Sequence, residues 1–198
     1  AEYTSSVCHT PGGYLVMRSG RYVAYGSTGV TDIFVSKFDT DGTLLWTNDY
    51  GGSSKDFGVK IVCVHPNLYY VAGHTKSSNG DVQSGNKGAY DLWVFAIDST
   101  GTLLWEKTYG SPSYDFFADL VAMPDGSFYL GGNVSASGGD VDTVFGGGDV
   151  WLSRCDASGN IVWQKTYGAE GYNNCTGFIV NSKGNLVITG TNHADYFS

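Results

Sequence analysis

Charge is scarce in this chain, and positive charge scarcest. Only 15% of the 198 residues are charged, with 11 Lys and Arg against 19 Asp and Glu and a formal net charge of −8. No Lys/Arg cluster occurs anywhere. A nucleic-acid partner is therefore not expected, because a phosphate backbone needs a basic stripe to neutralise it. No apolar run reaches 18 residues, so no helical membrane span is expected. Glutamate occurs only at Glu2, Glu106 and Glu170, and no Ser-His-Asp order, phosphate loop or cofactor fingerprint is found. No stretch longer than a turn carries a helical period. The chain starts Ala-Glu-Tyr without Met, as it would after signal-peptide cleavage or truncation. The four cysteines, Cys8, Cys63, Cys155 and Cys175, allow three pairings, none with an obvious cross-strand partner. Small buried thiols in strands are the simpler reading, and one disulfide stays open.

What is present is a repeat. Asp32, Asp91 and Asp149 open it; Asp39, Asp98 and Asp156 follow, then Gly42, Gly101 and Gly159, Trp46, Trp105 and Trp163, and Tyr50, Tyr109 and Tyr167. Each step is about 58 residues. The series Asp56, Asp115, Asn173 and Gly73, Gly132, Gly190 keep the same offsets. Self-similarity this strict fixes the architecture, and residues that recur in every unit are scaffold first.

Each unit holds four short runs rich in β-branched and aromatic residues, divided by turn chemistry. In the second unit they read DFGVKIVCV, LYYVAGHT, DLWVFAI and TLLWEKTYG. The third-to-fourth turns, Asp39 to Gly42, Asp98 to Gly101 and Asp156 to Gly159, pair a capping Asp with a Gly that tolerates positive φ. Runs such as Leu92 to Ile97 are apolar at consecutive positions, so both faces of each small sheet need cover. Small sheets stacked face to face supply it, which is the geometry of β-propeller blades. The expected fold is all-β: three four-stranded antiparallel blades over roughly 1–51, 52–110 and 111–168, and a half blade over 169–198. Three and a half blades do not close a ring, since propellers close with about four to eight. The expected partners are further blades of a longer polypeptide or a second copy of the chain.

The strings GDVQSGNKGAYDLWVFAIDSTGTLLWEKTYG and GGDVWLSRCDASGNIVWQKTYG resemble the extracellular β-propeller repeat of secreted surface proteins, over nearly the whole chain. The resemblance implies a propeller and an extracellular or cell-surface setting. It implies little about activity, because propellers host many functions.

Trp46, Trp105 and Trp163 look at first like a sugar-stacking platform, but their identity in every unit argues for packing between blades. The loops 76–90 and 134–148 are polar, Gly-rich and longer than a hairpin demands, and loops on one face of a rigid ring are where propellers bind. Within them Asn79, Asp81 and Asp91, and likewise Asp140, Asp142 and Asp149, offer oxygen ligands for calcium, although Asp with Gly is also ordinary capped-loop chemistry. Asn133-Val-Ser and Asn174-Cys-Thr are sequons for a eukaryotic secretory route. The functional expectation is a non-catalytic structural, adhesive or ligand-binding propeller. The alternatives are a glycan-binding lectin or part of an extracellular polysaccharide-processing enzyme.

Overall fold

The structure, a computed structural model, describes residues 3–21 and 30–193. Among the described residues there are fourteen strands and no helix. The first sheet is β1 (Tyr3–Thr10), β2 (Gly13–Arg21), β3 (Thr31–Phe38) and β4 (Leu44–Tyr50). The second is β5 (Asp56–His65), β6 (Leu68–Thr75), β7 (Asp91–Ile97) and β8 (Leu103–Tyr109). The third is β9 (Asp115–Ala122), β10 (Phe128–Val134), β11 (Asp149–Cys155) and β12 (Ile161–Tyr167), and a half blade follows with β13 (Tyr172–Val180) and β14 (Leu186–His193). Strands lie in sequence order within every sheet, and the registered pairs are antiparallel. The fold is thus an all-β set of three and a half propeller blades. The loop between β2 and β3 falls largely outside the described residues.

The chain divides into two compact units, residues 1–86 with 93–108, and residues 87–92 with 109–198. In the first, fully buried Met17, Ile33, Val35, Val71, Trp93 and Phe95 form the core. The consecutive apolar run of β7 is buried at every position, as two-sided cover requires. In the second, Val150, Leu152, Cys175 and Phe178 pack together against partly buried Ala118, Val121, Tyr129 and Leu186.

The recurring residues account for the recurring geometry. Asp98 Oδ1 accepts from the N–H groups of Thr100 (2.8 Å) and Thr102 (2.9 Å), and the Gly101 N–H closes the turn on the Asp98 carbonyl at 3.1 Å. Gly101 stands at φ 82°, with Gly42 at 83° and Gly159 at 78°, a conformation that costs other residues a steric clash. The tyrosines ending β4 and β8 reach the next such turn: Tyr50 donates to the Gly101 carbonyl at 2.6 Å and Tyr109 to the Gly159 carbonyl at 2.7 Å. Trp46 Nε1 donates to the Ser99 carbonyl at 3.3 Å, which places this indole between blades. Trp105, expected to be buried there, is half-buried against Tyr70 at 5.3 Å, and Trp163 is 37% exposed. The fully buried indoles are those of the third strands, Trp93 and Trp151.

Candidate functional site

At the corner where a fourth strand hands over to the next first strand, the repeat assembles carboxylates. In the first unit, Asp32 Oδ1 and Asp56 Oδ2 lie 2.6 and 2.8 Å from the point a Cβ on Gly51 would occupy. In the second, Asp91 Oδ1 and Asp115 Oδ2 stand likewise, 2.7 and 2.6 Å from such a point on Gly110. A side chain at Gly51 or Gly110 would strike both acids. Backbone amides satisfy much of this charge: Gly52 N–H donates to Asp56 at 2.8 Å, Ser111 N–H to Asp115 at 2.6 Å and Lys87 N–H to Asp91 Oδ2 at 2.6 Å. Among the described residues, Oδ1 of Asp32 and Oδ1 of Asp91 have no donor. The third corner solves the problem chemically. Asn173 replaces the second acid, and its Nδ2 donates to Asp149 Oδ1 at 3.0 Å.

The acid pairs set a pH dependence. Burial, then the charges of Asp56, Asp49 and Asp81, pushes the Asp32 carboxyl up to about 6. Burial does the same to Asp91, also to about 6, with Asp115 and Asp140 adding to it and the N–H and charge of Lys87 opposing it. A carboxyl whose folded pKa lies above its unfolded value of 3.8 adds stability that is fully present below pH 3.8 and lost as pH rises through 6. Buried His74, pushed down to about 4, works in the opposite sense over the same window. The expected result is therefore read as a difference. Between pH 7 and 5 the melting temperature of the native chain should gain on that of the Asp32→Asn/Asp91→Asn double variant, whose amides take the charge off the first acid of each pair. Parallel melting curves would contradict it.

All but one of the loop residues singled out in the sequence serve these corners or the loops beside them. Asp81 Oδ2 accepts from Gly51 N–H at 3.0 Å; Asp140 Oδ2 accepts from Gly110 N–H at 3.1 Å and pairs with Lys87 Nζ at 3.0 Å. Asn79 Oδ1 accepts from Ser53 N–H at 2.9 Å, Asp149 Oδ2 accepts from Phe145 N–H at 2.5 Å, and Asp142 is exposed. Asp140 and Asp149 serve different corners. Asp91 goes with Asp115 and Asp140. Among the described residues, no three His, Cys, Asp or Glu side chains converge as a metal would require. The sequon asparagines differ. Asn133 is clamped on the Cys175 backbone, donating to its carbonyl at 3.2 Å and accepting from its N–H at 2.7 Å, whereas Asn174 is exposed. Burial raises the Cys8 thiol to about 12, with neighbouring Cys63 as the next cause.

One place within the second unit breaks the repeat on an open surface. A cleft of about 370 Å³ is walled by Tyr114, Phe116, Val134 and Tyr172, with Asn133 and Asn174 among its polar groups. Tyr114 is 53%, Phe116 42% and Tyr172 56% exposed, unusual for large rings so close together. Tyr114 and Phe116 stack at 6.3 Å and 20°, and Tyr90 joins them at 6.2 and 5.8 Å. Position 148 explains the opening. Tyr90 and Gly148 occupy the same place in successive units, bridging Tyr114 and Tyr172 respectively. Phe116 and Asn174 are likewise equivalent. Where the Tyr90 ring fills one junction against Tyr114 and Phe116, Gly148 and Asn174 leave the next one open. No lining residue carries a formal charge.

No model of a known protein family matches the chain. A stretch of 100 residues is 30% identical to the regulatory protein FlaEY of Caulobacter vibrioides, covering 48% of this chain and 10% of that protein. Among solved structures, two mutant forms of Synechocystis apocarotenoid oxygenase are similar, at 14% and 12% identity with TM-scores of 0.47 and 0.48. The matches cover 87% and 98% of this chain but only 39% and 46% of those. No chemistry transfers to this chain from such a likeness.

Proposed function

We propose that the chain is part of a non-catalytic, secreted or cell-surface β-propeller that works as a ligand-binding module, with the cleft beside Tyr172 as its site. The carrying observation is the contrast between recurring and non-recurring residues. The recurring Asp and Gly, together with Trp46, Tyr50 and Tyr109, are consumed by turns, corners and blade packing, whereas Tyr114, Phe116 and Tyr172 stay exposed together where Gly148 and Asn174 depart from the preceding unit. A concave, mostly apolar cleft with a few polar groups is the usual form of a small-molecule site, and its volume lies within the common range of about 300–1,000 Å³. The extracellular setting rests on the resemblance of the repeats to those of secreted surface proteins. Further blades, or a second copy, are proposed as the partner of the exposed edge of β12. There Tyr167 is 41% exposed, whereas its equivalents Tyr50 and Tyr109 are 4% and 2% exposed and bonded to a neighbouring turn.

The test is a thermal-shift screen against glycans, peptides and small apolar compounds, run beside hydrolase and lyase assays. Binding without turnover is expected. Turnover of any substrate at a rate abolished by cleft substitutions would contradict the reading.

A further inference from the structure

We infer that the cleft beside Tyr172 takes an uncharged sugar ring, so that the module binds neutral glycans; this rests on the ligand-binding reading above. A pyranose has an apolar C–H face and a hydroxylated rim, and both need an answering surface. Tyr114, Phe116 and Tyr172 present ring area that burial elsewhere does not claim. The Tyr172 ring lies over the glycine backbone, with a Cβ at Gly147 falling 3.0 Å from it and one at Gly148 3.3 Å. It is therefore held from below while its other surroundings stay open. Rigid amphipathic rings of this kind give contact area at small entropic cost and keep a hydroxyl for hydrogen bonding. Asn174 adds an exposed amide, donor and acceptor together, suited to a hydroxyl that is also both. Asn133 is not free for this, since the Cys175 backbone takes both ends of its amide. It fixes the floor instead.

The lining selects against charge. An acidic sugar or a nucleotide would find no cation there, on a chain of net charge −8. A wholly apolar ligand would leave the Asn174 amide and the tyrosine hydroxyls to be desolvated without partners. The tryptophans of the repeat make a poorer platform: Trp46 donates across to Ser99, Trp93 and Trp151 are fully buried, Trp105 packs on Tyr70 at 5.3 Å, and Trp163 packs on Tyr129 at 6.1 Å.

The preceding junction supplies the control. Gly148→Tyr copies Tyr90 into the site; Gly148 is not among the glycines with positive φ, and its new Cβ would meet the half-exposed Tyr172 ring at 3.3 Å, a contact that asks that ring to shift by a few tenths of an ångström. Native chain, Gly148→Tyr and Tyr172→Ala should be tried on an array of neutral and acidic glycans, with calorimetry on any glycan retained. Neutral glycans should bind the native chain, and each variant should lose about tenfold or more in affinity, roughly 1.4 kcal/mol, with Gly148→Tyr still melting cooperatively as a folded chain. If Gly148→Tyr does not fold, Asn174→Phe, which copies Phe116, carries the same test. Retention of acidic glycans only, or of no glycan, overturns the sugar assignment. A peptide or apolar compound that binds the native chain but not the variants overturns it as well and leaves the ligand-binding reading standing. A neutral glycan held equally by native chain and variants removes the cleft from both.

Discussion

Trp93→Ala should cost about 3–5 kcal/mol of folding stability, the usual range for deleting a fully buried Trp. Trp93 is 0% exposed, packs on Phe95 at 4.5 Å and donates its indole N–H to Glu106 Oε2 at 3.0 Å. The loss is large beside the roughly 5–15 kcal/mol that holds a typical domain together. Trp93→Phe should cost less, because the first unit already carries Phe34 at the equivalent place. Glu106 would also keep the N–H groups of Gln83 (3.2 Å) and Ser84 (2.6 Å) and the Ser84 hydroxyl (2.9 Å). Urea denaturation followed by circular dichroism would rank the two variants. A Trp93→Ala loss below about 1 kcal/mol, the typical cost of an ordinary substitution, would contradict the inter-sheet core.

Gly73→Ala should be the most damaging of the conservative changes. A Cβ at Gly73 would lie 1.8 Å from the Phe57 carbonyl oxygen and 3.0 Å from the Gly58 Cα, both backbone atoms that move only if β5 moves. The pairing of β5 with β6 shifts register between Gly58 and Lys60, so the strands are pressed together beside a bulge. Overpacking of this kind costs about 1–3 kcal/mol and sometimes more. Gly132→Ala, its equivalent, should be milder, because the nearest atoms there belong to the Leu92 side chain, at 2.6 Å. Equal melting temperatures for the two variants would show that the bulge yields more easily than this geometry implies.

The scaffold was legible because its determinants are local and repeated. Asp98 and Gly101 close a turn within four residues, so spacing alone announces the hairpin, and the continuous apolar run of β7 declares cover on both faces. The partner of Trp93 emerges only from the structure: Trp93 donates to Glu106 and Trp151 to Gln164, whereas the first unit has Phe34, which carries no N–H, and Thr47 at the equivalent positions. The roles of the loop acids were not legible. Asp81 and Asp91 are close in sequence, yet Asp81 caps Gly51, thirty positions earlier, and Asp91 meets Asp115. Such contacts follow from strand order and loop closure, which no local spacing encodes. The cleft left a faint signal, Gly148 where Tyr90 would recur. A reading that prizes recurrence passes over it.

The most direct measurement is a map of amide and aromatic NMR shifts as a neutral glycan retained on the array is titrated into the native chain. The account predicts perturbations concentrated at Tyr114, Phe116, Gly147, Gly148, Tyr172 and Asn174, with Trp46, Trp105 and Trp163 unmoved. Perturbations centred on those tryptophans, or on the acid corners around Asp91 and Asp32, would contradict it.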